Sequence, residues 1–427
     1  MRRKGLLLVV ATCLLAGCAS TVDIHKTENG LYQGDYAHAL EMVHQEAAQI
    51  ERRQGPIVRA IDVGIVQHYA GDYAGSNASL SEAEALIDKA YTRSLSRSAA
   101  SYVINDNTKE YPGEDFEDLY ANVFKALNYA QLGEIGEAMV EIRRLSEKQQ
   151  VLVDYYQGYN QKHDERIAFT HSALGEWLGM LFSQKLGNAS DARYYGRRLA
   201  DAFAGEKELY PFPMPSAAVL QEREEGKTPV YLLSFTNIAP RKIEVRQTLP
   251  SVVTGNLMTI AVPELVVRSS EVKKILYSVD GVKSGEMELM EPIGRIAANT
   301  YLLKKSGIYA KAILRATGKL VATDVVDVAG HVAAASASDD SQAAGAGFLA
   351  DLLTLSANLF GNLSERADVR MSHFLPGSAY VGVVDLSEGQ HAITVTYLGE
   401  AGVLKQEEFC MDVVQGTLYV LESFCLR

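Results

Sequence analysis

Positive charge and cysteine are both scarce in this chain. Lys and Arg number 41 against 53 Asp and Glu, a formal net charge of -12, and only 4 of the 427 residues are cysteines. An acidic body is repelled by nucleic-acid phosphates and gains nothing from anionic lipid headgroups, which excludes both as partners for its folded part. The recognisable catalytic arrangements are missing too. The 9 histidines form no His-Glu-x-x-His and no Cys/His pair at metal spacing, and there is no Gly-x-Ser-x-Gly elbow or Walker A loop. His163 and His171 are eight residues apart, two helical turns, too far to share a small ion. Gly345-Ala346-Gly347-Phe348-Leu349-Ala350 matches a dinucleotide loop in part, but an Ala/Ser/Asp run precedes it where such a loop needs a strand. No enzyme, cofactor or metal is expected. What remains is ordinary globular material, 47% hydrophobic and 22% charged, long enough for two domains.

The N-terminus carries the most specific signal. Arg2, Arg3 and Lys4 precede an apolar run over residues 5–15, then Leu15-Ala16-Gly17-Cys18. The run is too short for a permanent membrane span and suits the core of an export signal. Small residues at 16 and 17 admit a peptidase, and the Cys18 thiolate is the nucleophile that accepts a diacylglyceryl group. The expectation is a signal peptide over 1–17, a lipidated tether over 18–30 and an anchor by palmitate-type acyl chains. Residue 19 is alanine and not aspartate, so the expected location is the outer membrane, facing the periplasm. Loss of the leader leaves 38 basic side chains against 53 acidic ones.

From residue 31 to about 210 the pattern is helical and repetitive. A Gly-x-[aromatic or apolar]-x-x-[small] motif recurs at Gly34, Gly71, Gly133 and Gly187, with Ala39, Ser76, Ala138 and Ala192 at the small position. Each glycine suits the turn of an antiparallel helix pair, and each small residue permits close packing. The stretch around Gly71 adds Gly64, Leu80 and Ala83; that around Gly133 adds Ala126, Tyr129, Ile142 and Leu145. This resembles the tetratricopeptide repeat, but with spacings of 37, 62 and 54 residues instead of a constant one. The reading is an irregular all-α solenoid.

Pro211, Pro213, Pro215 and the charged run 222–227 mark a boundary, after which the period changes to two. Residues 228–427 read as an α+β domain with antiparallel sheet. Asp280-Gly281 is placed as the type I′ turn of a hairpin, and a helical insertion is expected near 293–363. Late strands are expected near 379–386, 391–398, 403–413 and 417–424.

Several stretches together resemble an uncharacterised family of bacterial lipoproteins, with N-terminal tetratricopeptide-like helices and a β-rich C-terminal domain. They are Tyr111-Pro112-Gly113-Glu114-Asp115-Phe116-Glu117, Ala126-Leu127-Asn128-Tyr129, Val140-Glu141-Ile142-Arg143-Arg144, and Ala367-Asp368-Val369-Arg370 followed by Leu375-Pro376. The resemblance implies architecture and carries no catalytic residues.

If the repeats pack as tetratricopeptides do, their first helices line a groove that places His68, Tyr69, Tyr120, Gln131, Trp177 and Lys185 together. Such aromatics suit protein recognition, and they equally suit an inter-helix core. The favoured reading is a lipid-anchored scaffold that binds another envelope protein through this groove. The alternative is an envelope enzyme or cell-wall glycan binder using the acids Glu114, Asp115, Glu117 and Asp118, which also read as a helix N-terminal charge cluster. Finally, Cys410 and Cys425 are placed on a terminal hairpin turning near Gln415-Gly416. A simple hairpin holds them further apart than the roughly 7 Å that a disulfide spans, and a bulge or longer loop brings them together. An oxidising compartment and a single possible pair tip the expectation toward the bond.

Overall fold

The computed structural model describes residues 22–96, 111–160, 169–219, 225–250, 257–302, 304, 305, 308, 312 and 366–427. The expected leader, Cys18, His163, the Ala/Ser/Asp run and the glycines at 345 and 347 lie outside those residues.

The N-terminal part is helical: α1 (His25–Gln33), α2 (Tyr36–Gln54), α3 (Pro56–Tyr69), α4 (Tyr73–Ser96), α5 (Asp115–Gln131), α6 (Ile135–Asn160), α7 (Ala173–Lys185) and α8 (Ala189–Gly205). Each helix packs against the next in sequence. The four motif glycines share one device. Gly34, Gly71, Gly133 and Gly187 all have φ between 72° and 80°, the left-handed region that a side chain disfavours. The N–H of the following residue reaches back to close the helix end, as in Asp35 to Gly30 C=O at 2.9 Å and Asp72 to Gln67 C=O at 2.9 Å. That following residue then caps the next helix: Asp35 accepts from His38 N–H, Asp72 from Gly75 N–H and Asn188 from Asp191 N–H. Ala39, Ser76, Ala138 and Ala192 are buried where the helices cross. At Gly64 on α3 an added Cβ would sit 2.8 Å from Leu80 of α4, so the crossing depends on its absence.

One boundary differs from expectation. The chain is helical from His25, so residues 25–30 belong to α1 and not to the tether. Buried Thr27 donates to Glu46, and Gly30 lies against Ala39, which ties the first turn of α1 to α2.

The C-terminal part holds β1 (Thr228–Ile238), β2 (Arg241–Pro250), β3 (Leu257–Val266), β4 (Lys274–Val279), β5 (Val282–Glu286), β6 (Glu288–Glu291), β7 (Pro376–Leu386), β8 (Gly389–Gly399), β9 (Gly402–Val413) and β10 (Tyr419–Cys425). They form a sheet of order β10-β1-β7-β6, a second of order β5-β4-β8-β9, and the hairpin β2-β3. Asp280 and Gly281, at φ 50° and 78°, make the hairpin turn between β4 and β5. Residues 293–302 are helical.

One strand departs from the antiparallel expectation. β10 does not return along β9; it crosses to the other sheet and pairs parallel to β1, with Tyr231 opposite Val420 and Thr236 opposite Cys425. β9 pairs with β8, where Cys410 faces Ala392. The terminal hairpin is therefore absent, and Cys410 and Cys425 are free thiols, one exposed and one buried. β1 is buried along nearly its whole length and serves as the inner strand between β10 and β7.

The layers follow from β1. Leu233 and Phe235 join a core shared with the helices, while Val230 and Leu232 face the second sheet with Ile393, Val395 and Tyr397. Helices, first sheet and second sheet thus stack as three layers. The helical and β regions differ in class but share one hydrophobic core.

Candidate functional site

The six residues expected to line a groove do gather on one face of the helical layer. His68 and Tyr69 end α3, Tyr120 and Gln131 lie on α5, and Trp177 and Lys185 lie on α7. That face is covered by the chain itself. His68 Nε2 lies 3.0 Å from Glu422 Oε2 of β10, and its Nδ1 lies 2.7 Å from Asn128 Oδ1. Gln131 Nε2 donates to Glu422 Oε1 at 2.7 Å and to Val420 C=O at 3.0 Å. Tyr69 O–H donates to Phe374 C=O at 3.0 Å, Trp177 Nε1 to Ala217 C=O at 3.1 Å, and Lys185 Nζ to Gly416 C=O at 2.7 Å. Tyr120 donates to Glu291 in a short contact. His68, Tyr69, Tyr120 and Trp177 are buried; only Lys185 is exposed. The groove is therefore not open: Tyr69 meets Phe424 and Trp177 meets Tyr231 of the first sheet, so a partner cannot reach them in this conformation.

Buried carboxylates organise the seam. Glu291, the last residue of β6, is fully buried and accepts from Tyr120, Ser172 and Tyr210 hydroxyls and from Leu174 N–H. Burial pushes its carboxyl above the usual range despite those donors. Asp62, fully buried on α3, accepts both His373 N–H at 2.7 Å and His373 Nδ1 at 2.6 Å. Glu117 accepts from Tyr111 O–H at 2.8 Å, Glu114 N–H at 2.7 Å and Ser372 N–H. Burial and the neighbouring Glu114 carboxylate push Glu117 upward.

Two of the four stretches quoted for the family resemblance meet here. Tyr111 lies under the Arg370 guanidinium at 5.1 Å and near the Lys242 ammonium at 5.8 Å, so the segments around 111–117 and 367–376 meet face to face.

The acidic cluster does not form a cleft. Glu114 pairs with Lys242 and Lys304, Asp115 with Lys304, and Asp118 with Lys148 at 2.6 Å. Burial alone would raise Glu114; the two ammonium groups outweigh it and hold the carboxyl below the usual range. Glu114 and Glu117 are thus driven apart, which is the electrostatic mark of an acid/base pair. Yet Glu117 is 0% exposed, sealed by Tyr111 and residues 371–375, and a general acid must reach its substrate. Among the described residues no group of three or more His, Cys, Asp or Glu is arranged to hold a metal ion.

One cavity opens beside the seam, about 330 Å³ between the α5–α6 turn and the ends of β9 and β10. Ala130, Ile135, Met411, Val420 and Leu421 make it mostly apolar, with Gln131 at its wall.

Sequence reasoning missed Asp62, Asn128, Glu291, His373 and Glu422. For the acids among them the signal was a carboxylate inside an apolar run, as in Ala60-Ile61-Asp62-Val63 and Leu289-Met290-Glu291, where it has no solvent and must find donors; Asn128 and His373 carried none. The chain matches no model of a known protein family, and no curated protein matches it.

Proposed function

We propose that the protein is a lipid-anchored scaffold of the cell envelope, held by Cys18 in the outer membrane and facing the periplasm, that binds another envelope protein. Its helical layer is an irregular tetratricopeptide-like solenoid, and its resemblance is to the uncharacterised lipoproteins that join such helices to a β-rich domain. The observation that carries the reading is the use of the helical face. The side chains best suited to recognition, His68, Tyr69, Gln131 and Trp177, hold the chain's own sheet in place. The helices thus support the β domain, and a partner would use surfaces outside the seam. The four acids of the enzymatic alternative are engaged in internal ion pairs and caps, which favours the scaffold.

The anchor is tested with Cys18→Ala and metabolic labelling by a radioactive fatty acid. The expected result is complete loss of label and a larger, unprocessed precursor. Normal maturation of that variant would overturn the lipoprotein reading. Cross-linking in cells, read by mass spectrometry, should yield one reproducible protein partner with contacts outside residues 416–424.

A further inference from the structure

Residues 371–375 cross from the helical layer into β7 without regular structure of their own. Their attachment is concentrated in side chains of α3 and α5. Ser372 N–H donates to Glu117, His373 N–H and Nδ1 both donate to Asp62, and Phe374 C=O accepts from Tyr69. Leu375 C=O then takes Ala239 N–H at 2.8 Å, entering the sheet. Met371, Phe374 and Leu375 are buried in the shared core. The strand entering the middle of the first sheet is therefore tied to the helices through Glu117, Asp62 and Tyr69, and His373 to Asp62 is the one of these ties that joins a titratable ring to a carboxylate.

We propose that residues 371–375 form a proton-operated clip between the helical layer and the β domain: protonated His373 locks onto Asp62, and loss of that proton loosens the segment. Among the described residues, the hydrogen bonds that Asp62 accepts come from His373 alone, so the imidazolium is the positive charge in contact with this buried anion. The other charged groups facing His373 are Glu28 of α1 and Arg268, which follows β3. Those two bond to each other, and Arg268 also reaches Tyr32 O–H. They leave Asp62 as the carboxylate in direct contact with the His373 ring.

Burial by itself disfavours the charged ring. Asp62, by charge and hydrogen bond, outweighs that, with Glu28 adding and Arg268 opposing, so His373 holds its proton above the ordinary histidine value. A histidine whose folded value is raised contributes stability that is complete below its unfolded value, and this is lost as pH rises through the folded value. The clip is thus closed in mild acid and slackens toward alkaline pH. This holds whatever partner the scaffold binds.

The His373 amide reports the clip directly, because its N–H donates to Asp62. Hydrogen exchange on the full chain should be followed from about pH 6 to about pH 9, corrected for the intrinsic rise in exchange rate. Protection at His373 is expected to fall by about tenfold per unit by which its folded value is raised. Protection at Leu174, whose N–H is held by Glu291 with no histidine in contact, should stay level. His373→Gln keeps a side-chain donor but cannot charge, and should abolish the step. Level protection at His373 in the native chain, or the same fall in His373→Gln, would overturn the proposal. If that variant fails to fold, imidazole nitrogen shifts of the native chain decide: a ring mostly neutral at about pH 7 overturns it, and a ring still charged there supports it.

Discussion

Glu291 shows how much of this fold rests on single carboxylates. It has four donors from three segments: Tyr120 on α5, Ser172 and Leu174 at the start of α7, and Tyr210 beyond α8. Truncation leaves those buried donors without an acceptor, a penalty of about 1–3 kcal/mol for each that finds no water. Glu291→Ala is therefore expected to lower unfolding free energy by roughly 3 kcal/mol or more in a denaturant titration. Glu291→Gln retains an acceptor oxygen and should cost less. A truncation effect near zero would mean that the node is hydrated. Residues of this kind were not legible as a site, because an acid in an apolar run shows that a partner exists without showing which. His68, Tyr69, Tyr120, Gln131, Trp177 and Lys185 were legible as one face, because the turn glycines fixed the helical phase.

At the scale of elements, α4, α5 and α6 are joined by a charged cluster. Glu84 takes Lys125, Lys148 and Asn122, while Lys125 also reaches Glu141. Burial works to raise the Glu84 carboxyl, but the Lys148 and Lys125 ammonium groups prevail and lower it to about 2. A carboxyl depressed on folding stabilises above its unfolded value, and that stability disappears as pH falls from about 4.5 to about 2. Glu84→Gln should remove about 3 kcal/mol at neutral pH, and its stability should then be flatter than the native chain's between those pH values. A parallel acid profile in the variant would contradict the assignment. The strands were legible by their period of two, and so was the Asp280-Gly281 turn. The path of β10 was not, because it pairs parallel to β1, a strand distant in sequence, and no local pattern encodes that choice. Its consequence is chemical. A thiol reagent should label Cys410 in the native chain and Cys425 only after unfolding; a peptide mass containing both joined would contradict the observed pairing.

At the scale of the molecule, the helices and the β domain are one structural unit with two secondary-structure classes. Length suggested two domains, and the chain does change from helices to strands between α8 and β1. What sequence could not convey is that the helical face complements the sheet encoded some hundreds of residues later. Tyr69, Phe124, Phe235 and Phe424 form one aromatic cluster across that distance. Recognition potential that looks available in a repeat is here satisfied within the chain. A site-specific photo-cross-linker at Lys185, the exposed rim residue whose ammonium meets Gly416, tests this most directly in living cells. The account predicts an adduct within the chain, onto the turn before β10, and no second protein attached. Capture of another protein at this position, with the turn unmodified, would contradict it.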